Sequence, residues 1–387
     1  MIDAADALMS KNDLQESGSG VRKLRARDLG IPFDGNPGPF NAITDVSGVE
    51  VGYRTLVNGE ADSKDGARII RTGVTAVLPR GKASKDLAFA GWFALNGNGE
   101  MTGTTWIEES GFLEGPVLIT NTHSVGIVRD AVIEWQVKKG ALFQPFSLPV
   151  VAETFDGYLN DINGFHITKA HVFEAIEGAH SGAIAEGNIG GGTGMICYEF
   201  KGGTGTSSRR LSEEEGSYMI GALVQANHGR RYQLQVAGVP VGKEIAEDVP
   251  SPPVSAHYDE TGSIIIVIAT DAPLLPHQLK RLAKRAALGV ARTGGVAGNG
   301  SGDIFVAFST ANSHAAARRD EVNSVQMISN ERLNPIFEAT ILSTEEAIIN
   351  AMVAAETMTG IDGHRVHAIP HRRLMELMEG YRRSTAP

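Results

Sequence analysis

A run of β-branched residues near position 265 constrains this chain more than any other feature. Residues 264–268 read Ile-Ile-Ile-Val-Ile and are followed by Ala269 and Thr270. Branching at Cβ favours extended backbone, and an uninterrupted apolar run of this length is typical of a strand buried on both faces. We therefore expect a central strand of a covered sheet, with apolar layers above and below it.

The segment immediately before this strand has the opposite character. Residues 242–262, GKEIAEDVPSPPVSAHYDETG, hold three prolines and many charges and show no apolar period. Structureless runs of about 20 residues are uncommon inside a compact domain and are usually functional or disordered. A serine, Ser263, thus stands where an exposed linker meets a buried strand.

This junction suits a hydrolase that makes its own nucleophile. Breaking the bond before Ser263 would give that serine a free α-amine beside its hydroxyl, and a pKa of about 7.7–8 makes the amine a suitable general base. Gly262 fits the step, since a residue without Cβ tolerates strained backbone. Attack on the Gly262 carbonyl, an N-to-O acyl shift and ester hydrolysis would yield an α chain, 1–262, and a β chain, 263–387. The alternative is that Gly-Ser is only a turn.

Composition restricts the compartment and the partners. The formal net charge is -10 without a basic run, which argues against nucleic acid as the main partner. The sequence contains no stretch of about 18 apolar residues, so we expect no membrane span. The first residues lack the pattern of a secretory signal. The single cysteine, Cys197, cannot form an intramolecular disulfide, and we expect a buried, inert thiol. The sequence favours a cytoplasmic protein without a cofactor.

Strand-like and helix-like runs alternate after a polar segment, 1–20, that we expect to be disordered. They predict one α/β or α+β layered domain over 21–387. The predicted elements are strands at 74–78 and 117–120, a helix at Ser124–Lys138 with Val125, Val128, Val132, Trp135 and Val137 on one side, a helix at Pro276–Arg292, and a helix opened by a capping box at Ser343 and running through Met358.

Glycine is over-represented, with 46 residues in 387, and it falls in clusters. The run Gly190–Gly194 has no following Gly-Lys-Ser/Thr, so we interpret it as close backbone packing rather than a phosphate loop. The glycine- and serine-rich stretch Lys201–Ser208 is interpreted as a mobile loop near the site.

Seven motifs in one order along the chain are similar to those of the DmpA-type aminopeptidases, the family of L-aminopeptidase/D-Ala-esterase/amidase and the β-peptidyl aminopeptidases. The resemblance spans about Val21 to Met378. The matching stretches are 24–31 (LRARDLGI), 41–46 (NAITDV), 106–111 (WIEESG), 158–162 (YLNDI), 190–195 (GGGTGM), 269–274 (ATDAPL) and 300–304 (GSGDI).

This resemblance implies a fold, a maturation step and an activity. The fold is a four-layer αββα sandwich of the N-terminal-nucleophile kind, in the α+β class. The chain would be cleaved before a serine and would assemble as a homotetramer of αβ units. Its substrates would be small peptides, amides and esters with a free amino terminus.

Site residues follow from the same resemblance. Ser263, in Thr-Gly-Ser-Ile, corresponds to the nucleophile, and Ser301 and Asp303 correspond to the pair that supports it. Alternate strand residues share a face, so these two side chains can point the same way. Asn227, in Ala-Asn-His-Gly, corresponds to the asparagine that stabilises the oxyanion.

Substrate contacts are expected near Tyr158, which resembles a tyrosine lining the same site. A carboxylate close to it, Glu153 or Asp156, would bind the substrate ammonium through a charge-assisted hydrogen bond. The sequence leaves the choice between these two carboxylates open.

Other interpretations remain to be separated from this one. An acyl transfer reaction of the ornithine acetyltransferase type uses the same fold, although those proteins usually present threonine as the nucleophile. A non-catalytic binding scaffold is the second alternative. His364, His367 and His371 suggest a metal site, but Pro370 interrupts any helix there and no carboxylate has matching spacing; we expect surface histidines and no metal.

Overall fold

A computed structural model describes residues 23–59, 68–247, 249–250, 261–317 and 322–385. The predicted disordered segment 1–20 lies outside the described residues. So does much of the polar linker before Ser263, namely residues 248 and 251–260.

The described residues form two large sheets and several helices. The strands are β1 (Glu50–Asn58), β2 (Ile70–Leu78), β3 (Ala88–Gly97), β4 (Phe112–Leu113), β5 (Val117–Asn121), β6 (Val150–Thr154), β7 (Ile196–Cys197), β8 (Phe200–Lys201), β9 (Gly203–Arg210), β10 (Met219–Asn227), β11 (Thr261–Thr270), β12 (Gly300–Ser309), β13 (Met358–Thr359) and β14 (Arg365–Val366). The helices are α1 (Thr104–Ser110), α2 (Val125–Lys139), α3 (Lys169–Glu177), α4 (Val241–Glu244), α5 (Pro276–Arg292), α6 (Asn334–Val353) and α7 (His371–Thr385).

Three apolar cores separate four layers. One sheet has the order β1-β2-β5-β6 and the other β4-β3-β12-β11-β10-β9. Side chains of both sheets, such as Val117 and Val267, share the middle core. Helices α2 and α3 cover the outer face of the first sheet, and α5 and α6 cover the second. This is the αββα sandwich that the resemblance implied.

The β-branched run forms the central strand β11, as predicted. Every side chain from Ile264 to Ile268 is fully buried. Ile264, Ile266 and Ile268 pack into the outer core beneath α5 and α6, whereas Ile265 and Val267 pack between the sheets. The strand pairs antiparallel with β10 and parallel with β12, so its position is fixed on both edges and both faces.

The prediction that a helix opens at Ser343 is wrong. Helix α6 starts earlier, with Pro335 in its first turn, and it ends before the predicted boundary. The polar residues that imitate a capping box are buried inside the helix, where each finds a partner. Thr344 Oγ1 donates to the carbonyl four residues earlier at 2.8 Å, and Glu346 pairs with Arg209 at 2.8 Å. These residues therefore form hydrogen bonds within the helix and an ion pair with another element instead of capping a helix end.

The interpretation of Lys201–Ser208 as a mobile loop is also wrong. These residues belong to β8 and β9, and most of them are buried. Glycine serves close packing here, because a Cβ on Gly205 would lie 2.1 Å from the Ala347 carbonyl oxygen of α6. The run Gly190–Gly194 is packed in the same way, as predicted: a Cβ on Gly191 would lie 2.7 Å from the Ile119 carbonyl oxygen.

The two amphipathic helices formed as predicted, with one exception. Helix α2 buries Val128, Val132 and Trp135, but Val137 is 55% exposed because it falls off the apolar stripe. Cys197 is fully buried, and burial raises its thiol pKa to about 12, so it stays protonated and inert. Among the described residues, no helix has both the length and the apolar character needed to cross a membrane.

Candidate active site

Ser263 lies near the start of the buried strand β11, where that strand meets its two neighbours. Its Cα is directly opposite Asn227 of β10 and Gly302 of β12. The backbone N–H of Gly302 donates to Ser263 Oγ at 3.2 Å. The residue is only 6% exposed, and strand pairing on both sides holds the candidate nucleophile in position.

Strand parity places the predicted site residues on two faces of this sheet. Ser263 and Asn227 share the face that carries Ile265 and packs between the sheets. Ser301 and Asp303 lie on the opposite face, with Phe305. The predicted partnership of the latter two is present, because Ser301 Oγ donates to Asp303 Oδ1 at 2.6 Å.

The Ser301–Asp303 pair lies next to the peptide bond before Ser263. Ser301 is opposite Gly262 in the parallel register. The pair therefore lies beside the backbone at the start of β11, on the far side from the Ser263 hydroxyl. This location suits a role at the Ser263 nitrogen rather than at its oxygen.

Asn227 is held in place by two backbone contacts. Its Oδ1 accepts from the Ile196 N–H at 2.8 Å, and its Nδ2 donates to the Phe155 carbonyl at 3.0 Å. An amide nitrogen carries two N–H donors, so one more donor is available. Ser263 and Asn227 line the same cavity, and that second donor can serve an oxyanion formed there.

Gly262 is required by the close approach of β10. A Cβ at this position would lie 2.5 Å from the Asn227 carbonyl oxygen and 2.7 Å from the Cα of His228. Both contacts are with backbone atoms, and displacing them would cost considerable free energy. Glycine therefore lets the bond between residues 262 and 263 lie against the cavity wall.

The cavity next to Ser263 has a volume of about 670 Å³. Segments from distant parts of the chain surround it, and their side chains carry both signs of charge. The lining includes Asn98, Gly99, Glu100, Thr122, Glu153, Phe155, Tyr158, Ile196, Glu199, Asn227, Arg230, Gly262, Ser263 and His364. A volume of this size accommodates a small organic substrate.

Of the two carboxylates that the sequence left open, Glu153 is the one at the cavity. Glu153 Oε1 accepts from the Glu100 N–H at 3.0 Å, and its Oε2 accepts from the Thr122 hydroxyl. Burial raises the pKa of Glu153, while these hydrogen bonds lower it in part. A cation that binds here would neutralise the negative charge of Glu153, which is only 3% exposed.

Asp156 is directed into the protein interior instead. It is fully buried and does not belong to the cavity lining. Asn160 Nδ2 donates to its Oδ1 at 3.1 Å. Burial raises the pKa of Asp156 to about 7, against hydrogen bonds from Thr72 and Asn160 that lower it. Its position does not favour the predicted contact with substrate.

The raised pKa of Asp156 predicts a pH-dependent stability. At Asp156 the folded state binds more protons than the unfolded state between pH 3.8 and about 7, so the contribution of this group to the free energy of unfolding decreases as pH rises through this window. The contribution of this group is about 4 kcal/mol at most. We expect Asp156→Asn to remove much of this slope, measured as melting temperature at pH 5 and pH 8. Parallel slopes for wild type and variant would contradict it.

Tyr158 lines the cavity and packs on His364. The two rings stack with centroids 4.4 Å apart, and His364 Nδ1 contacts the Tyr158 carbonyl oxygen at 2.9 Å. Desolvation raises the phenol pKa to about 12, so the hydroxyl remains protonated and can donate a hydrogen bond. His364 was predicted to be a surface residue, but it lines this cavity.

Sequence reasoning missed several cavity residues besides His364. Glu100 and Glu199 lie in segments without a recognisable motif, and no local signal identifies them. Arg230 was within reach, since it follows the Asn-His-Gly motif by one residue. Within the described ranges, no group of three or more His, Cys, Asp or Glu side chains is arranged to hold a metal ion.

Comparison with known proteins places this geometry in context. Residues 41–366 match peptidase family S58. The β-peptidyl aminopeptidase BapA of Sphingosinicella microcystinivorans is 55% identical over 374 residues, which cover 94% of this chain and 93% of that protein. BapA of Sphingosinicella xenopeptidilytica is 47% identical over 366 residues, covering 92% and 91%.

Solved structures agree with the fold. The L-aminopeptidase D-Ala-esterase/amidase of Ochrobactrum anthropi, described as a prototype of the serine aminopeptidases and a variant of the Ntn hydrolase fold, superposes with a TM-score of 0.86 at 50% identity, covering 93% of this chain and 99% of that one. A β-aminopeptidase from Burkholderia sp. gives 0.83 at 47% identity, covering 92% and 99%.

Proposed function

This chain belongs to peptidase family S58, and we propose that it is an aminopeptidase that cleaves itself before Ser263 and then uses Ser263 as its nucleophile. The observation that carries the proposal is the position of Ser263. It lies at the start of an immobile strand, in the wall of a cavity that also holds Asn227 and a buried carboxylate.

The maturation step forms the working nucleophile. Ser263 Oγ loses its proton and attacks the carbonyl carbon of Gly262. The C–N bond then breaks, an ester joins Gly262 to Oγ, and the proton passes to the Ser263 nitrogen, which becomes a free amine. Water then hydrolyses the ester and leaves the Gly262 carboxylate and the restored hydroxyl. Ser301 and Asp303 lie beside this strand end, which supports the proposal that they hold the new amino group.

Catalysis then follows with the same groups. The free amine of Ser263 takes the proton of its own hydroxyl, and Oγ attacks the carbonyl of the substrate. The second N–H of Asn227 Nδ2 donates to the developing oxyanion. The leaving amine or alcohol takes the proton from the Ser263 amine, and water hydrolyses the acyl-enzyme in a second, similar cycle.

Glu153 gives the enzyme its preference for a free amino terminus. A buried carboxylate with two hydrogen-bond donors already in place is preorganised for an ammonium group. Tyr158 lies in the same wall. A substrate with a blocked amine would leave the Glu153 charge buried and uncompensated, which disfavours its binding.

Replacing Glu153 with glutamine tests this role. Glutamine keeps the shape but loses the charge, so we expect KM for an amino-acid p-nitroanilide to rise roughly ten- to hundredfold, as for loss of a charged hydrogen bond, with a smaller change in kcat. Glu108→Gln is the matched control, since Glu108 binds Lys280 outside the cavity. Wild-type KM in Glu153→Gln would refute the assignment.

The function as a whole is tested by intact mass and a substrate panel. Mass spectrometry of purified active protein should show chains ending at 262 and beginning at 263. The panel consists of L-α, D-α and β amino-acid amides, with and without an added amine acceptor. Hydrolysis products favour the aminopeptidase, whereas acceptor-dependent products would indicate the acyl transfer reaction. Active protein with residues 262 and 263 still joined would exclude the proposed machinery.

A homotetramer of αβ units acting in the cytoplasm on small peptides, amides and esters completes the proposal. The assembly rests on the family resemblance found in the sequence, and the cytoplasmic location on the single, buried cysteine, which suits a reducing compartment. Sedimentation equilibrium of the matured protein checks the assembly, and a mass of one αβ unit would contradict it.

A further inference from the structure

The cavity has a second charged region besides the one around Glu153. Arg230 and Glu199 line the same cavity as Ser263. Arg230 Nη1 is 3.7 Å from Glu199 Oε1, and Glu199 Oε2 accepts from the Arg231 backbone N–H at 3.0 Å. A guanidinium group is thus held at the cavity by a carboxylate that is itself fixed.

The backbone that positions Glu199 at the cavity has an unfavourable conformation. Tyr198 and Glu199 form the turn between β7 and β8, and both have positive φ, 51° and 60°. Left-handed backbone is uncommon for residues other than glycine, asparagine and aspartate. Such strain persists only when its surroundings enforce it, and it concentrates at functional sites.

Buried groups enforce this turn from several sides. The Tyr198 N–H donates to the His228 carbonyl at 2.7 Å, and its hydroxyl contacts Thr293 Oγ1 at 2.8 Å. Arg231 donates to the Tyr198 and Glu199 carbonyls at 3.1 and 2.7 Å, and its guanidinium lies 3.3 Å from the centre of the Phe200 ring. The protein therefore maintains an unfavourable conformation whose visible result is the placement of Glu199 and, through it, Arg230.

The chemistry of this region fits a carboxylate ligand. A planar guanidinium presents five N–H donors in a fork that matches a carboxylate. The ion pair with Glu199, 3.7 Å between Nη1 and Oε1, helps to orient the Arg230 guanidinium at the cavity. Arg230 is three positions beyond Asn227 in the chain, and both residues line the cavity that contains Ser263.

We propose that Arg230, oriented by Glu199, binds the C-terminal carboxylate of a short peptide whose ammonium group binds Glu153. The inference rests on the proposed aminopeptidase function and narrows its substrate class. One cavity of about 670 Å³ holds both charged regions and Ser263, so the substrates are di- or tripeptides with both ends free. Peptides that are longer or blocked at the carboxyl end lose the Arg230 contact.

The test compares a free dipeptide with its C-terminal amide, for the first residue that the substrate panel selects. Both are cleaved at the same peptide bond, so the ratio of their kcat/KM values isolates the carboxylate. We expect Arg230→Gln to lower this acid-to-amide ratio by at least about tenfold, mainly through KM, as for loss of a charge-assisted pair. Arg230→Lys, which keeps the charge and loses the fork, should give an intermediate ratio.

The control is Arg372→Gln, an exposed arginine paired with Glu376 on α7, which should keep the wild-type ratio. Glu199→Gln should lower the ratio, because the Arg230 guanidinium loses the carboxylate that orients it. A wild-type acid-to-amide ratio in Arg230→Gln overturns the proposal. If Arg230→Gln fails to mature by intact mass, the ratio in Arg230→Lys decides. Failure of the proposed function itself is distinct, because wild type would then hydrolyse neither peptide.

Discussion

Replacing Ser263 with alanine is expected to leave the chain uncleaved and inactive. Alanine has no nucleophile to attack the Gly262 carbonyl, so mass spectrometry should show one species with residues 262 and 263 joined. Hydrolysis should fall on the order of 10⁶-fold in kcat, as for loss of a serine nucleophile elsewhere. The side chain is small and 6% exposed, so the melting temperature should change little relative to an uncleaved reference.

Two further variants make this result specific. Ser263→Cys keeps a nucleophile and should still mature, at a different rate, because a thiol can make the same acyl shift. Ser181→Ala replaces an exposed serine outside the cavity and should mature and act as wild type. Cleavage before residue 263 in the alanine variant would show that another group or a contaminating protease cuts the chain, and residual wild-type activity would remove Ser263 from the mechanism.

Replacing Asn227 with aspartate should have the second largest effect. Aspartate keeps the shape and the acceptor for the Ile196 N–H, but it cannot donate to an oxyanion and adds a negative charge where one develops. We expect kcat to fall on the order of 10²–10³-fold or more, the usual effect of losing one oxyanion donor, with a much smaller change in KM. Maturation should also slow, because its tetrahedral intermediate forms at the same serine.

Asn188→Asp provides the matched control, since this asparagine contacts the Glu356 backbone away from the cavity. The Phe155 carbonyl loses its donor in Asn227→Asp, so a local packing change must be separated from a catalytic one. Asn227→Gln keeps an amide but displaces it; it should also lose kcat if position matters. A change confined to melting temperature, with kcat at the wild-type value, would assign Asn227 a structural role only.

Local sequence was informative wherever a residue pattern had one structural solution. The run Ile264–Ile268 could only be buried extended backbone, and it became the central strand. The apolar spacing in 276–292 could only be an amphipathic helix. The predicted helix start at Ser343 was wrong because Ser-Thr-Glu-Glu can form a capping box at a helix end. The same residues are stable inside α6 when Arg209 and carbonyl oxygens pair with their polar groups. The hydroxyls bond carbonyls of the preceding helical turn, whereas Glu346 depends on Arg209, which is distant in the chain.

The sequence by itself identified the family through its motifs. It also predicted the kind of chemistry, from a serine between a polar linker and a core strand, and the candidate site residues Asn227, Ser301 and Asp303. Only the tertiary structure decided which carboxylate faces the cavity, since Glu153 and Asp156 are three residues apart and differ by the direction in which each side chain leaves the backbone. His364 likewise reaches the cavity only by packing on Tyr158, which is 206 residues away in the chain. Chain order does not encode such neighbours, because burial and strand pairing bring them together after the local elements have formed.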